Sequence, residues 1–189
     1  MLTASILLDP TAPSGAVGTG LLIARLVFGL TMSAHGAQKL FGWFGGYGLA
    51  GTSEFFAQLG FRPARLFTAI ASAVEVGGGL LVALGFLGPI GPALLLSVMI
   101  VAAVTVHWSN GFFATTNGVE LPLLYAAFAV GLALSGPGRY SLDVLLGFEA
   151  LWSLPFAVAA LVIGAIGAAG NLVLRRAALH PSPATSRGA

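Results

Sequence analysis

The amino-acid sequence predicts an all-α, polytopic transmembrane helical bundle. Three observations carry that expectation. Only 7% of the 189 residues are charged, 57% are hydrophobic, and mean hydropathy is +0.96. A soluble domain carries about 25% charged residues, so this chain has too little polar surface to face water. The apolar residues gather in five long runs and show no short alternating strands of the kind a β-barrel needs. In lipid every backbone N–H and C=O must find an internal partner, so each run should be a helix.

The elements follow in order. Residues 1–17 contain no Lys or Arg and include Asp9, Pro10 and Pro13. A secretory leader begins with positive charge, so the segment reads as a tail. The first span is Gly18–Leu40, with Arg25 inside it. Five glycines between 42 and 51 interrupt regular structure. TSEFFAQLGF (52–61) then predicts a short interfacial helix, capped by Thr52 or Ser53, ended by Gly60, with Phe55, Phe56 and Leu59 on its apolar face. The second span is Leu66–Leu87, with Glu75 at its middle, followed by a tight turn within LGFLGPIGP (84–92). The third is Gly91–His107. The fourth, Val119–Ser135, has 17 residues and sits near the lower limit for crossing a bilayer. The fifth, Trp152–Leu174, has 23 residues without a charge and stops at Arg175 and Arg176. Its small residues Ala160, Gly164, Gly167 and Ala168 suit close helix packing, with self-association into a homo-oligomer as the lesser alternative. The sequence divides as tail 1–17, membrane domain 18–147, additional span 148–174 and disordered basic tail 175–189.

Charge placement sets the expected orientation. Lys39, Arg62, Arg65, Arg175, Arg176 and Arg187 fall on one side of five spans, and Arg25 and Arg139 on the other. The first side should be cytoplasmic, with the N-terminus outside. The net charge of +2 leaves no basic patch for nucleic acid. Cysteine is absent, which excludes disulfides, thiol redox chemistry, cysteine-ligated iron–sulfur clusters and covalent c-type haem within this chain.

The polar residues inside the spans are the candidate functional groups. Each ionisable residue at bilayer depth costs roughly 2.5–3.5 kcal/mol on insertion scales. Arg25, His35 and Lys39 fall within about an 80° sector of the first helix. On the second, Thr68, Ser72, Glu75 and Gly79 lie within about 60° and make one polar, small-residue stripe. Glu75 is about 14 Å from Leu66 along the axis and too short to reach water. A cytoplasmic-side cluster is therefore expected from His35, Lys39, Glu75, His107 and Glu120, with Gln38, Trp108 and Asn110 nearby. Glu75 and His35 would do the proton chemistry; Lys39, Gln38, His107, Trp108 and Glu120 would bind. Each has a plainer reading: Lys39 as a snorkelling anchor beside Phe41, Trp43 and Phe44, His107–Trp108 as interfacial, and Glu120 as a helix-start carboxylate. Arg25, Arg139 and Asp143 belong to the opposite end, where Arg25 pairs with Asp143 or with loop carbonyls. No metal site is expected, since no local HxxxH or ExxH pair is present.

HGAQKLFG (35–42), EVGGGLLVALG (75–85), GVE (118–120) and above all GPGRYSLD (136–143) resemble, in order, the DoxX family of small bacterial and archaeal membrane proteins. The resemblance covers roughly residues 20–147. It implies a four-helix DoxX-like core, with the C-terminal span as an extension, in a bacterial inner membrane. It further implies a place in a membrane oxidoreductase system, since the family is named for a subunit of an archaeal thiosulfate:quinone oxidoreductase. A mycobacterial relative is linked with superoxide dismutase and a sulfurtransferase. On that resemblance the expected function is a membrane subunit engaging a quinone or a small sulfur or phenolic compound. The alternatives are an anchor that recruits soluble redox enzymes to its basic cytoplasmic face, and a small proton-coupled permease.

Overall fold

A computed structural model describes residues 15–180. Most of the 1–17 tail, the end of the 175–189 tail and Arg187 lie outside the described residues. The chain is helical, with no strand among the described residues. Its helices are α1 (Gly15–Phe41), α2 (Gly48–Gln58), α3 (Ala64–Leu84), α4 (Ile90–Ala102), α5 (Glu120–Ser135), α6 (Leu142–Leu146) and α7 (Leu154–Leu179). The α4 rod continues through a π turn at Ala103–His107 and a 3-10 turn to Asn110. Among the described residues four rods, α1, α3, Ile90–Asn110 and α7, are long and apolar enough to cross a membrane. α5, with 16 residues, is about 24 Å long and shorter than a typical hydrocarbon core.

Successive long helices alternate in direction. One end of the bundle holds the α3–α4 turn and the loop 136–153. The other holds α2 and the loop 111–119. The central core draws on four helices: Phe28 and Met32 from α1, Val82 from α3, Leu95 and Met99 from α4, Ala129 and Leu132 from α5. α7 stands outside this core and packs on α4. There Ala157 and Ala168 are buried, and a Cβ at Gly164 would lie 2.5 Å from the Ala93 carbonyl oxygen. The small-residue ridge of α7 thus serves packing within the chain.

α1 and α3 approach most closely, because glycine removes the spacer between them. A Cβ at Gly79 would sit 2.4 Å from the Gly29 oxygen, and one at Gly36 would sit 2.6 Å from the Ser72 oxygen. The expected polar stripe of α3 lies in this seam. Thr68, Ser72 and Glu75 are fully buried. The two hydroxyls bond back to the carbonyls of Ala64 and Thr68, at 2.9 and 2.7 Å, so neither competes for Glu75.

Three boundaries differ from the sequence reading. α2 starts at Gly48, and neither Thr52 nor Ser53 caps it; Thr52 is buried and Ser53 donates to the Leu49 carbonyl. α3 ends at Leu84, where Gly85 takes a left-handed conformation and Phe86 N–H reaches the Leu81 carbonyl at 2.9 Å. α7 runs through Arg175 and Arg176 to Leu179, so residues 175–179 are helical and not disordered. Arginine is a good helix former and suits the negative C-terminal end of the helix dipole, so charge there ends the apolar span without ending the helix.

Candidate functional site

A cavity of about 280 Å³ lies at the α2 end of the bundle. α3 supplies one wall through Phe67, Ile70, Ala71 and Val74, and α4 another from Leu94 to His107. α2 covers it with Thr52, Phe55, Phe56 and Leu59, and Phe61 closes a corner. The apolar face expected for the short helix is therefore the roof of a cavity. Arg175 ties that roof down, donating from Nε to the Leu59 carbonyl at 2.5 Å, a cation on the carbonyl end of α2. Beside the hydroxyls of Thr52, Ser97 and Thr105, three larger polar side chains reach the lining from separate elements: Lys39 from α1, His107 from the end of the α4 rod and Asn171 from α7.

Lys39 has two roles in this geometry. It lines the cavity, and its Nζ donates to Glu75 Oε1 in the one ion pair among the described residues. The Glu75 side chain is 2% exposed and that of Lys39 31%. Glu75 Oε2 is buried without a hydrogen-bond partner. The acid thus sits in the α1–α3 seam and holds the ammonium at the cavity wall.

His107 is held by a polar knot in the next loop. Its Nδ1 lies 2.8 Å from the Asn117 carbonyl, which also accepts from Asn110 Nδ2 at 3.3 Å. A carbonyl only accepts, so Nδ1 carries the proton and Nε2 is the acceptor of the neutral ring. The π turn brings Thr105, Val106 and His107 onto the lining together. In a regular α-helix these three would point 100° apart.

The remaining expected cluster members lie elsewhere. His35 is exposed on α1, 6.4 Å from the Tyr125 ring of α5. It is about 40° further round the helix than Lys39, enough to pass from the α3 seam to the α5 side. Glu120 opens α5 and accepts from Ala114 N–H at 2.7 Å, a loop brace outside the cavity lining. Gln38 donates to the Phe44 carbonyl at 3.3 Å and staples the turn after α1. Trp108 is 73% exposed, as an interfacial anchor would be. The structure brings Lys39 and His107 to the cavity, with Glu75 behind the lining on Lys39, and places His35, Glu120, Gln38 and Trp108 outside that lining. Asn171 was not among the expected residues. Its signal in the sequence was available: it is the sole polar side chain between Leu154 and Leu174.

At the opposite end the loop 138–143 closes over α1 and the α3–α4 turn. Arg25, 2% exposed, donates from Nη2 to the Tyr140 carbonyl at 2.5 Å, so of the two expected partners it takes the loop carbonyl. Asp143 instead accepts from Leu87 N–H at 3.0 Å, Gly88 N–H at 2.7 Å and Trp152 Nε1 at 2.7 Å. Arg139 lies over the Tyr140 ring at 5.2 Å and its stem fills the space beside Gly18. These three residues form a structural clasp.

Among the described residues, four long apolar helices, a half-buried ion pair between two of them and an aromatic-walled cavity define a multi-pass helical membrane protein with a candidate small-molecule site. The DoxX family model matches residues 20–108, from within α1 to the residue after the π turn of the α4 rod. Lys39, Glu75 and His107 fall within the matched residues, while α5, the clasp loop and α7 follow them. No curated protein and no solved structure matches the chain.

Proposed function

We propose that this DoxX-domain protein is a membrane subunit of an oxidoreductase system and binds a quinone or small phenolic compound in the cavity roofed by α2. The DoxX domain carries the association with oxidoreductase systems. The observation that supports the site is the pairing of Lys39 with Glu75 at the cavity wall. An ammonium fixed there donates to a ligand oxygen, a charge-assisted bond worth about 1.5–3 kcal/mol. His107 Nε2 accepts from a ligand hydroxyl, so the two residues together serve an oxidised carbonyl and a reduced hydroxyl. Glu75, buried behind the cavity lining, holds that ammonium in place in the proposal. The charge asymmetry favours the α2 end as cytoplasmic, with Arg62, Arg65, Arg175 and Arg176 there.

The test is calorimetric titration of the purified protein in nanodiscs with duroquinone. Wild type should bind. Ala71→Phe, which fills the cavity, should abolish binding, and Lys39→Met should weaken it at least tenfold. Wild type that fails to bind, or binding untouched by Ala71→Phe, removes the proposal.

A further inference from the structure

We infer that Asn171, supplied by α7 from beyond the DoxX-matched residues, selects ligands that carry oxygen functions at two separated positions of one ring. The inference rests on the cavity being the ligand site proposed above. α7 is the most apolar of the long helices, with a mean hydropathy of 2.2 over its spanning window. A lone amide there is costly in lipid unless it has a purpose facing inward. Asn171 is half-buried and lines the cavity. Its Nδ2 makes one bond, 2.9 Å to the Gly167 carbonyl in its own helix. The second N–H and Oδ1 remain for a ligand, which gives the position both a donor and an acceptor.

Its placement relative to Lys39 makes the selection. α1 packs on α3, α3 on α4, and α4 on α7. Lys39 and Asn171 therefore approach the cavity from its two flanks; between them lie the apolar face of α3 and an α4 face that carries the hydroxyls of Ser97 and Thr105, the latter already bonded to the Val101 carbonyl. The volume lies at the small end of ligand cavities, near 300 Å³, and suits a single ring with short substituents. A ring with one oxygen satisfies Lys39 and leaves the amide unpaired. A ring with a second oxygen across from the first satisfies both. Rejection of a ligand that leaves a polar site group unpaired is the strong form of specificity.

The experiment compares anaerobic binding of durohydroquinone with that of durenol, the same methylated ring with one hydroxyl, to the full chain in nanodiscs. Wild type should prefer durohydroquinone about tenfold. Asn171→Leu should reduce that preference to within about twofold, read as the ratio of the two affinities in the same variant, and Asn171→Ala supplies the same comparison if the leucine variant does not fold. A preference that survives in the variants, or equal binding of the two rings by wild type, overturns the role of Asn171 and leaves the cavity assignment standing. Wild type that binds neither ring overturns both.

Discussion

Removing Lys39 should cost far more stability than removing its partner. The perturbations are Lys39→Met, Glu75→Gln and the double variant. Glu75 is 2% exposed and cannot reach water, and its Oε2 already lacks a donor. Taking away the ammonium leaves an uncompensated buried carboxylate, at a cost of about 3–5 kcal/mol. The reverse change is milder. The Lys39 side chain is 31% exposed near the end of α1, and its long stem lets the charge swing to the interface, so Glu75→Gln should cost about 1 kcal/mol. The double variant removes both charges and should be more stable than Lys39→Met by roughly 2 kcal/mol. Thermal unfolding in detergent reads this. At about 2–4 °C per kcal/mol for a chain of this size, Lys39→Met should lower Tm by roughly 10 °C and Glu75→Gln by a few degrees. Equal losses for the two single variants, or strict additivity in the double, would show that the pair does not carry the burial argument.

Three further outcomes are expected. Gly79→Ala should destabilise by about 1–3 kcal/mol, because its Cβ meets the Gly29 oxygen at 2.4 Å, whereas Gly77→Ala, with nothing within 4 Å, should be neutral or stabilising in the same unfolding assay. Asp143→Ala leaves three donors, including two backbone N–H groups, without their acceptor; unfolding should show a loss of about 3 kcal/mol or more, with duroquinone affinity at the far end unchanged. Because the chain has no cysteine, single substitutions report topology directly: Gln58→Cys and Thr115→Cys should react with an impermeant maleimide from the cytoplasmic side, and Glu149→Cys from the other.

How far the sequence could be read depended on the kind of question. The membrane class, the five apolar segments and the inward stripe of α3 were legible because composition and helical period are local properties. Glu75 could be singled out for the same reason: a short acid at mid-span has no route to water and must find a partner. The partner's identity was harder. His35 and Lys39 differ by about 40° around α1, and only the crossing of α1 over α3 at Gly29, Gly36 and Gly79 decides which faces the acid. Glu120, at the start of its helix, was grouped with Glu75 by charge and side, yet the fold of the 111–119 loop turned it onto Ala114 N–H. The π turn was not legible at all, since no residue pattern in AVTVH marks it.

The amino-acid order alone determined that this chain belongs in lipid, that its segments are helices and that an acid at position 75 needs a cation. Those conclusions follow from solvation, which each segment meets by itself. Tertiary packing decided that the cation is Lys39, that the α2 face roofs a cavity and that Asn171 of α7 reaches it. Such facts depend on which helix faces meet, and glycine contacts between distant residues set those faces.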